Sequence, residues 1–65
     1  MVSIRRQYIN RLKRIERSLE NIVNNVQALK KMAEEYNNEN VLKALESMEQ
    51  LVYYITQIID YLKAI

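Results

Sequence analysis

The side chains that could act as nucleophiles are four hydroxyl groups, on Ser3, Ser18, Ser47 and Thr56. The chain contains no His and no Cys, so the bases and thiolates that usually serve nucleophilic catalysis are missing. It contains no Gly either, which excludes the glycine-rich loops that bind phosphates. We therefore expect no catalytic residues, and we predict that the protein is not an enzyme.

Metal chemistry would depend on carboxylates alone. The candidate pairs are Glu34 with Glu35 and Glu46 with Glu49. Di-iron sites in helix bundles combine Glu with His at helical spacing, and structural zinc sites use Cys and His. Ordinary solvated helix surface is therefore the favoured interpretation of both pairs. The sequence predicts no metal site and no cofactor.

Charge is distributed unevenly along the chain. Residues 1–20 contain six basic and two acidic side chains, a net charge of +4, whereas residues 21–65 contain four basic and six acidic ones, a net charge of −2. Basic residues near a helix N-terminus oppose the helix dipole, so local stability does not explain this arrangement. An external polyanion would explain it, and so would the acidic end of an antiparallel sister helix.

We predict that the basic residues on the exposed face of the first helix bind nucleic acid, either DNA or structured RNA. Only Tyr8 offers a ring for base stacking in this region, so phosphate contacts would dominate the binding. Two alternatives remain open: a solvated face partly neutralised by Glu16 and Glu20, or a surface for an acidic protein or an anionic membrane. The predicted phosphate-binding residues are Arg6, Lys13, Arg14 and Arg17.

The elements that must position these residues are long helices. The chain has neither Gly nor Pro, and 49% of its residues are hydrophobic, a composition typical of helices and unsuited to tight turns. At 65 residues it is close to the lower size limit for independent folding. Without disulfides or metals, association with other chains is the remaining source of stability.

The first helix is predicted over about residues 3–36 by apolar residues whose spacing alternates between four and three. After Tyr36 this pattern stops, and a second one begins at Val41, shifted by two positions. That shift corresponds to about 200° of helix rotation and predicts a turn at about residues 37–40. Asn37, Asn38 or Asn40 can end one helix and cap the next. The first series is Tyr8, Leu12, Ile15, Leu19, Ile22, Val26, Leu29, Ala33 and Tyr36, and the second is Val41, Leu45, Met48, Val52, Ile55, Ile59 and Leu62.

With a second helix over about residues 40–64, the sequence predicts an all-α fold: one antiparallel helical hairpin, a single domain of residues 1–65. Folding at the turn pairs Ala33 with Leu45, Leu29 with Met48, Ile22 with Ile55, and Ile15 with Leu62. The second helix would then end near Leu12. We expect residues 1–10, with Val2, Ile4, Tyr8 and Ile9, to lack cover within the chain and to contact a partner protein.

The second helix carries another apolar series, rotated by about 100° from the first. A helix in a two-helix unit needs only one apolar stripe, so this series predicts a second neighbour. Scattered surface aromatics are the alternative interpretation. We predict a homodimer in which two hairpins form a four-helix bundle. The predicted interface residues are Leu51, Tyr54, Ile58, Tyr61 and Ile65.

The segment RLKRIE, Arg11 to Glu16, followed by Leu19 and Ile22, is similar to the start of the first helix in the copper-sensing repressor family. That resemblance implies an all-helical DNA-binding protein. The glycines that follow in the family are absent here, and so are its Cys and His ligands, so metal sensing does not transfer.

These observations predict a small homo-oligomeric regulatory protein that binds nucleic acid. The alternative is a protein-protein adaptor or assembly element with no nucleic-acid role. The most apolar segment, Leu51 to Ile65, is interrupted by polar residues and is too short to span a membrane. No signal-peptide pattern follows Met1. We expect a cytoplasmic protein.

Overall fold

The computed structural model describes residues 3–65 and contains two helices, α1 over Ile4–Glu35 and α2 over Glu39–Ala64. They pack against each other as a rod about 53 Å long. The predicted all-α helical hairpin is confirmed. Its bounds differ slightly from the prediction, because Ser3 and Tyr36 are caps of α1 and because α2 begins at Glu39.

The turn is built from two asparagines with different roles. Asn37 adopts the left-handed conformation, with φ of 52°. Its N–H donates to Glu34 O at 3.2 Å, and the N–H of Asn38 donates to Ala33 O at 3.0 Å, which is the Schellman arrangement that ends many helices. The side chain of Asn38 then caps α2 by accepting a hydrogen bond from Val41 N at 3.2 Å. The structure thus decides between the asparagines that the sequence left as alternatives.

The core is a single row of apolar side chains between the two helices, which we call the buried seam. Four of its members come from α1 at intervals of seven residues, so they lie on one stripe of that helix. Ala33 packs with Leu45, as the sequence predicted. The buried members are Leu12, Leu19, Val26, Ala33, Leu45 and Ile59.

The other half of each predicted apolar series is not enclosed by the hairpin. Ile22 and Leu29 of α1 are 39% and 47% exposed, and their predicted partners Ile55 and Met48 are 40% and 45% exposed. The predicted pairs Ile22 with Ile55 and Leu29 with Met48 therefore stay partly exposed in the isolated chain. Each helix has one helical neighbour, and only the row that points directly at that neighbour is fully covered.

The prediction that residues 1–10 extend beyond the hairpin without cover is also wrong in part. The hydroxyl of Tyr8 donates to Leu62 O at 2.9 Å, and the guanidinium of Arg5 donates to Lys63 O at 3.1 Å. The last carbonyls of a helix have no partner within it. Two long side chains of α1 therefore reach beyond the backbone register and bind the end of α2.

Ile9 belongs to the same correction, since it packs against the buried seam near Leu12 and Ile59. Ile4 is 85% exposed, in agreement with the prediction for that residue. Val2 lies outside the described residues.

Candidate nucleic-acid and self-association surfaces

One side of the hairpin, which we call the polar side, is closed by charged and amide groups. Lys30 Nζ donates to Glu49 Oε1 at 2.8 Å, and Gln27 Nε2 donates to Glu49 Oε2 at 2.6 Å. Lys63 Nζ lies 2.6 Å from Glu16 Oε1. The hydrogen bond with Glu49 raises the pKa of Lys30 above its usual value.

These ion pairs were not predicted from the sequence, although the sequence contains a signal for them. Glu16 and Lys30 each lie four residues after a buried residue of α1, and Glu49 and Lys63 each lie four residues after a buried residue of α2. Equivalent positions on antiparallel helices lie on the same side of the pair. Opposite charges at matching heights in the antiparallel register therefore predict cross-helix ion pairs.

The predicted phosphate-binding residues form what we call the basic surface: Arg6, Lys13, Arg14 and Arg17, all of them exposed. At about 100° per residue they point roughly 120–160° away from the buried seam, so they lie on the edge of α1 that is remote from α2. From Arg6 to Arg17 the surface runs roughly 16 Å along the helix. Within residues 3–65, the structure shows ion pairs only for Lys30 and Lys63 among the basic residues.

Two neighbours of the basic surface are engaged elsewhere. Glu16, which the sequence suggested as a neutralising group, is turned towards Lys63. The guanidinium of Arg5 lies 5.5 Å from the ring centre of Tyr8 while it binds the end of α2. Glu20 is exposed and forms no ion pair with any residue of the range 3–65. The four cations are thus presented to solvent with little local neutralisation.

The side of the hairpin opposite the polar side is apolar, and we call it the apolar face. Its α1 residues each lie four positions before a buried residue of that helix, and its α2 residues stand in the same relation to Leu45, Val52 and Ile59, so both rows point to one side. An apolar groove of about 310 Å³ at the turn end, lined by Leu29 and Val41 among others, shows the two rows meeting. The members of the apolar face are Ile15, Ile22, Leu29, Val41, Met48 and Ile55.

The predicted interface residues of the second helix continue this apolar surface around the outside of α2, and we call them the α2 edge. The structure leaves all five exposed, with Tyr54 and Tyr61 at 65% and 66%. By helix geometry these residues lie next to Met48 and Ile55 on α2, so they enlarge the apolar face. The α2 edge consists of Leu51, Tyr54, Ile58, Tyr61 and Ile65.

The hydroxyl groups considered as nucleophiles are occupied by their own helices. Ser3 caps α1 by accepting from Arg6 N, and the other three hydroxyls each donate to the carbonyl four residues earlier: Ser18, Ser47 and Thr56. Within residues 3–65 there is no group of three or more acidic side chains arranged to hold a metal ion.

Comparisons with family models, curated proteins and solved structures give no significant match for this chain. The short similarity of Arg11 to Ile22 to the copper-sensing repressors thus gains no support from the family comparison. Neither of the two described helices has an apolar stretch long enough to cross a membrane.

Proposed function

We propose that the protein is a homodimeric regulator in which two hairpins form a four-helix bundle and the basic surface binds nucleic acid. One observation carries this proposal: the basic surface and the apolar face lie on different sides of the hairpin. A second chain covering the apolar face would leave Arg6, Lys13 and Arg17 exposed. Assembly and polyanion binding are therefore compatible in one small chain.

The surface area of the hairpin supports dimerisation. Its accessible surface is 5644 Å², whereas a folded monomer of 7.8 kDa should expose about 4400 Å² by the usual scaling with mass. The excess of roughly 1200 Å² exceeds the ~800 Å² per partner that a standard protein interface buries. The exposed residues include the apolar face and the α2 edge, and monomeric proteins seldom expose large contiguous apolar patches.

The chemistry of the basic surface supports a polyanion as its ligand. Four cations follow one edge of a helix for roughly 16 Å, and guanidinium groups bind phosphate in a bidentate manner. The one apolar residue between Lys13 and Arg17 is Ile15, and it does not lie on that edge because it points to the apolar face. Repeated phosphates on a nucleic-acid backbone match such a row of cations.

The alternative function is a protein-protein adaptor, and the α2 edge is the observation that favours it. Tyr54 and Tyr61 are exposed beside aliphatic residues, and Tyr is enriched at the centres of protein interfaces. In that case the basic surface would be solvated helix surface, and the α2 edge would bind another protein.

Salt-dependent binding to duplex DNA and structured RNA tests the nucleic-acid proposal. We expect log affinity to fall linearly with log salt, and we expect each lost phosphate contact to reduce the slope by roughly one unit. The test variant replaces Arg6, Lys13, Arg14 and Arg17 with Gln. The matched control likewise replaces Lys31 and Lys43 with Gln. These residues are exposed outside the basic surface, so the control should retain most of the affinity and most of the slope of log affinity against log salt.

Helicity and oligomer mass should stay unchanged in both variants, because exposed substitutions away from packed features change stability little. A folded quadruple variant that binds as tightly as the wild type would exclude the basic surface. If the wild type binds neither nucleic acid at ~50 mM salt, where such contacts are strong, the adaptor is the better proposal.

A further inference from the structure

We infer that the partner on the apolar face is a second copy of this chain whose long axis runs in the opposite direction, an arrangement we call head to tail. In this two-fold symmetric dimer, α1 lies on α1 and α2 lies on α2. The inference rests on the homodimer proposed above and adds its orientation. With the apolar faces opposed, a two-fold axis has two choices. An axis perpendicular to the long axes of the hairpins gives the head-to-tail dimer. An axis parallel to them gives a parallel dimer, in which α1 lies on α2.

The two rims of the apolar face differ in chemistry and favour the head-to-tail choice. On α1, the residues four positions before Ile15, Ile22 and Leu29 are polar, whereas on α2 the residues four positions before Met48, Ile55 and Leu62 are apolar. In the head-to-tail dimer each rim meets its own kind. In the parallel dimer the apolar rim of α2 would meet the polar rim of α1, leaving polar groups facing apolar ones. The α1 rim is Arg11, Ser18 and Asn25, and the α2 rim is Ala44, Leu51 and Ile58.

The apolar series of α1 is also nearly symmetric about its centre. On either side of Ile22 come an aliphatic residue and then a tyrosine: Ile15 and Tyr8 towards one end, Leu29 and Tyr36 towards the other. A crossing axis at Ile22 places Ile22 on itself and Ile15 on Leu29. It also brings Tyr36, which is 82% exposed, towards Tyr8 of the second copy.

Charge favours the same orientation. The head-to-tail dimer puts the end with net charge +4 beside the part with net charge −2, whereas the parallel dimer puts two +4 ends together. The orientation also places both basic surfaces on one edge of the bundle, with centres roughly 30 Å apart. That spacing is close to the ~34 Å turn of a DNA duplex, so one duplex could contact both.

Two single-cysteine variants with spin labels test the orientation, since the chain has no Cys of its own. The exposed positions Gln7 and Asn21 are replaced one at a time, as Gln7→Cys and Asn21→Cys. In the head-to-tail dimer the two labels at position 7 should be about 45 Å apart, because about 30 helical steps of ~1.5 Å separate their heights. The labels at position 21 lie beside the two-fold axis and should be less than half as far apart.

Sedimentation of the same samples separates failure of the dimer from failure of its orientation. A dimer with a long distance at position 7 and a short one at position 21 supports the inference. A dimer with similar distances at the two positions is parallel and overturns it, because an axis along the rods keeps each label at the same height in both copies. A monomer at micromolar concentration with an intact helical spectrum overturns both the inference and the proposed homodimer, and it would assign the apolar face to a different protein.

Discussion

The polar side and the apolar face flank the same buried seam, yet the side chains that border it differ between them. On the polar side, Lys30 and Glu49 approach to 2.8 Å across the two helices and close the seam towards water. On the apolar face, Ile22 and Ile55 occupy the mirror positions and remain about 40% exposed. Charged pairs tolerate solvent at little cost, whereas aliphatic side chains in a contiguous exposed patch are normally covered by another molecule.

The difference distinguishes a side that the hairpin closes with its own side chains from a side that it leaves apolar and exposed. Under the proposed function, the second chain covers the exposed side, and the α2 edge enlarges the surface available to it. Substitutions placed in the seam, on the apolar surface and on the polar side should therefore have effects of different kind as well as size.

The largest effect is expected in the buried seam, which both sides share. Ile59 is 2% exposed, so Ile59→Ala should lower the free energy of unfolding by about 2–5 kcal/mol through lost burial and a cavity. Chemical denaturation at fixed protein concentration measures it. The exposed neighbour in Asp60→Ala is the control and should change stability by less than ~1 kcal/mol. Equal losses in both variants would contradict the observed core.

A second effect should appear in assembly more than in folding of the hairpin. Ile58→Asp places a carboxylate on the α2 edge, where the proposed dimer would bury it without a partner. We expect the dimer Kd to rise by at least roughly tenfold, equivalent to ~1.4 kcal/mol. Gln57→Asp, one residue away and on the solvent side, should leave the mass unchanged. Sedimentation compares the two, and an unchanged mass in Ile58→Asp would make the α2 edge ordinary surface.

A smaller effect is expected at the end of the hairpin. Tyr8→Phe removes the hydroxyl that donates to Leu62 O at 2.9 Å and keeps the ring. The free energy of unfolding should fall by about 0.5–1 kcal/mol, because the Leu62 carbonyl can accept a hydrogen bond from water instead. Amide hydrogen exchange near the C-terminal end of α2 should become faster, whereas exchange at the turn should not change. Identical exchange in both proteins would restore the uncovered N-terminal segment predicted from the sequence.

The smallest effect is expected on the polar side and is best seen as a pH dependence. The pKa of Lys30 is raised by its hydrogen bond to Glu49, above the usual value of 10.5. The stabilisation is therefore complete below that value and disappears as the pH rises through the raised pKa. Lys30→Met should lack this change, so the stability difference between the two proteins should be constant below pH 10.5 and shrink as the pH rises above it. A difference independent of pH would show that the pair contributes nothing.

The candidate surfaces could be predicted from the sequence to different extents. The exposure of Arg6, Lys13, Arg14 and Arg17 follows from their spacing, since they lie opposite the apolar series of the first helix. The direction of Glu16 did not follow, because a glutamate at that position can reach either the basic surface or the second helix. Only the position of Lys63 in the folded hairpin decides it.

The two helices and the turn between them follow from the spacing of the apolar residues, because a period of 3.6 residues with a two-residue break favours two helices joined by a turn. Periodicity identifies residues that avoid water without identifying the neighbour that covers them. That Leu19 and Val26 are buried within the hairpin while Ile22 is not becomes visible only once the two helices are packed together. Tertiary structure also decided that Tyr8 and Arg5 bind the end of α2, because the reach of a long side chain is not contained in the spacing of the chain.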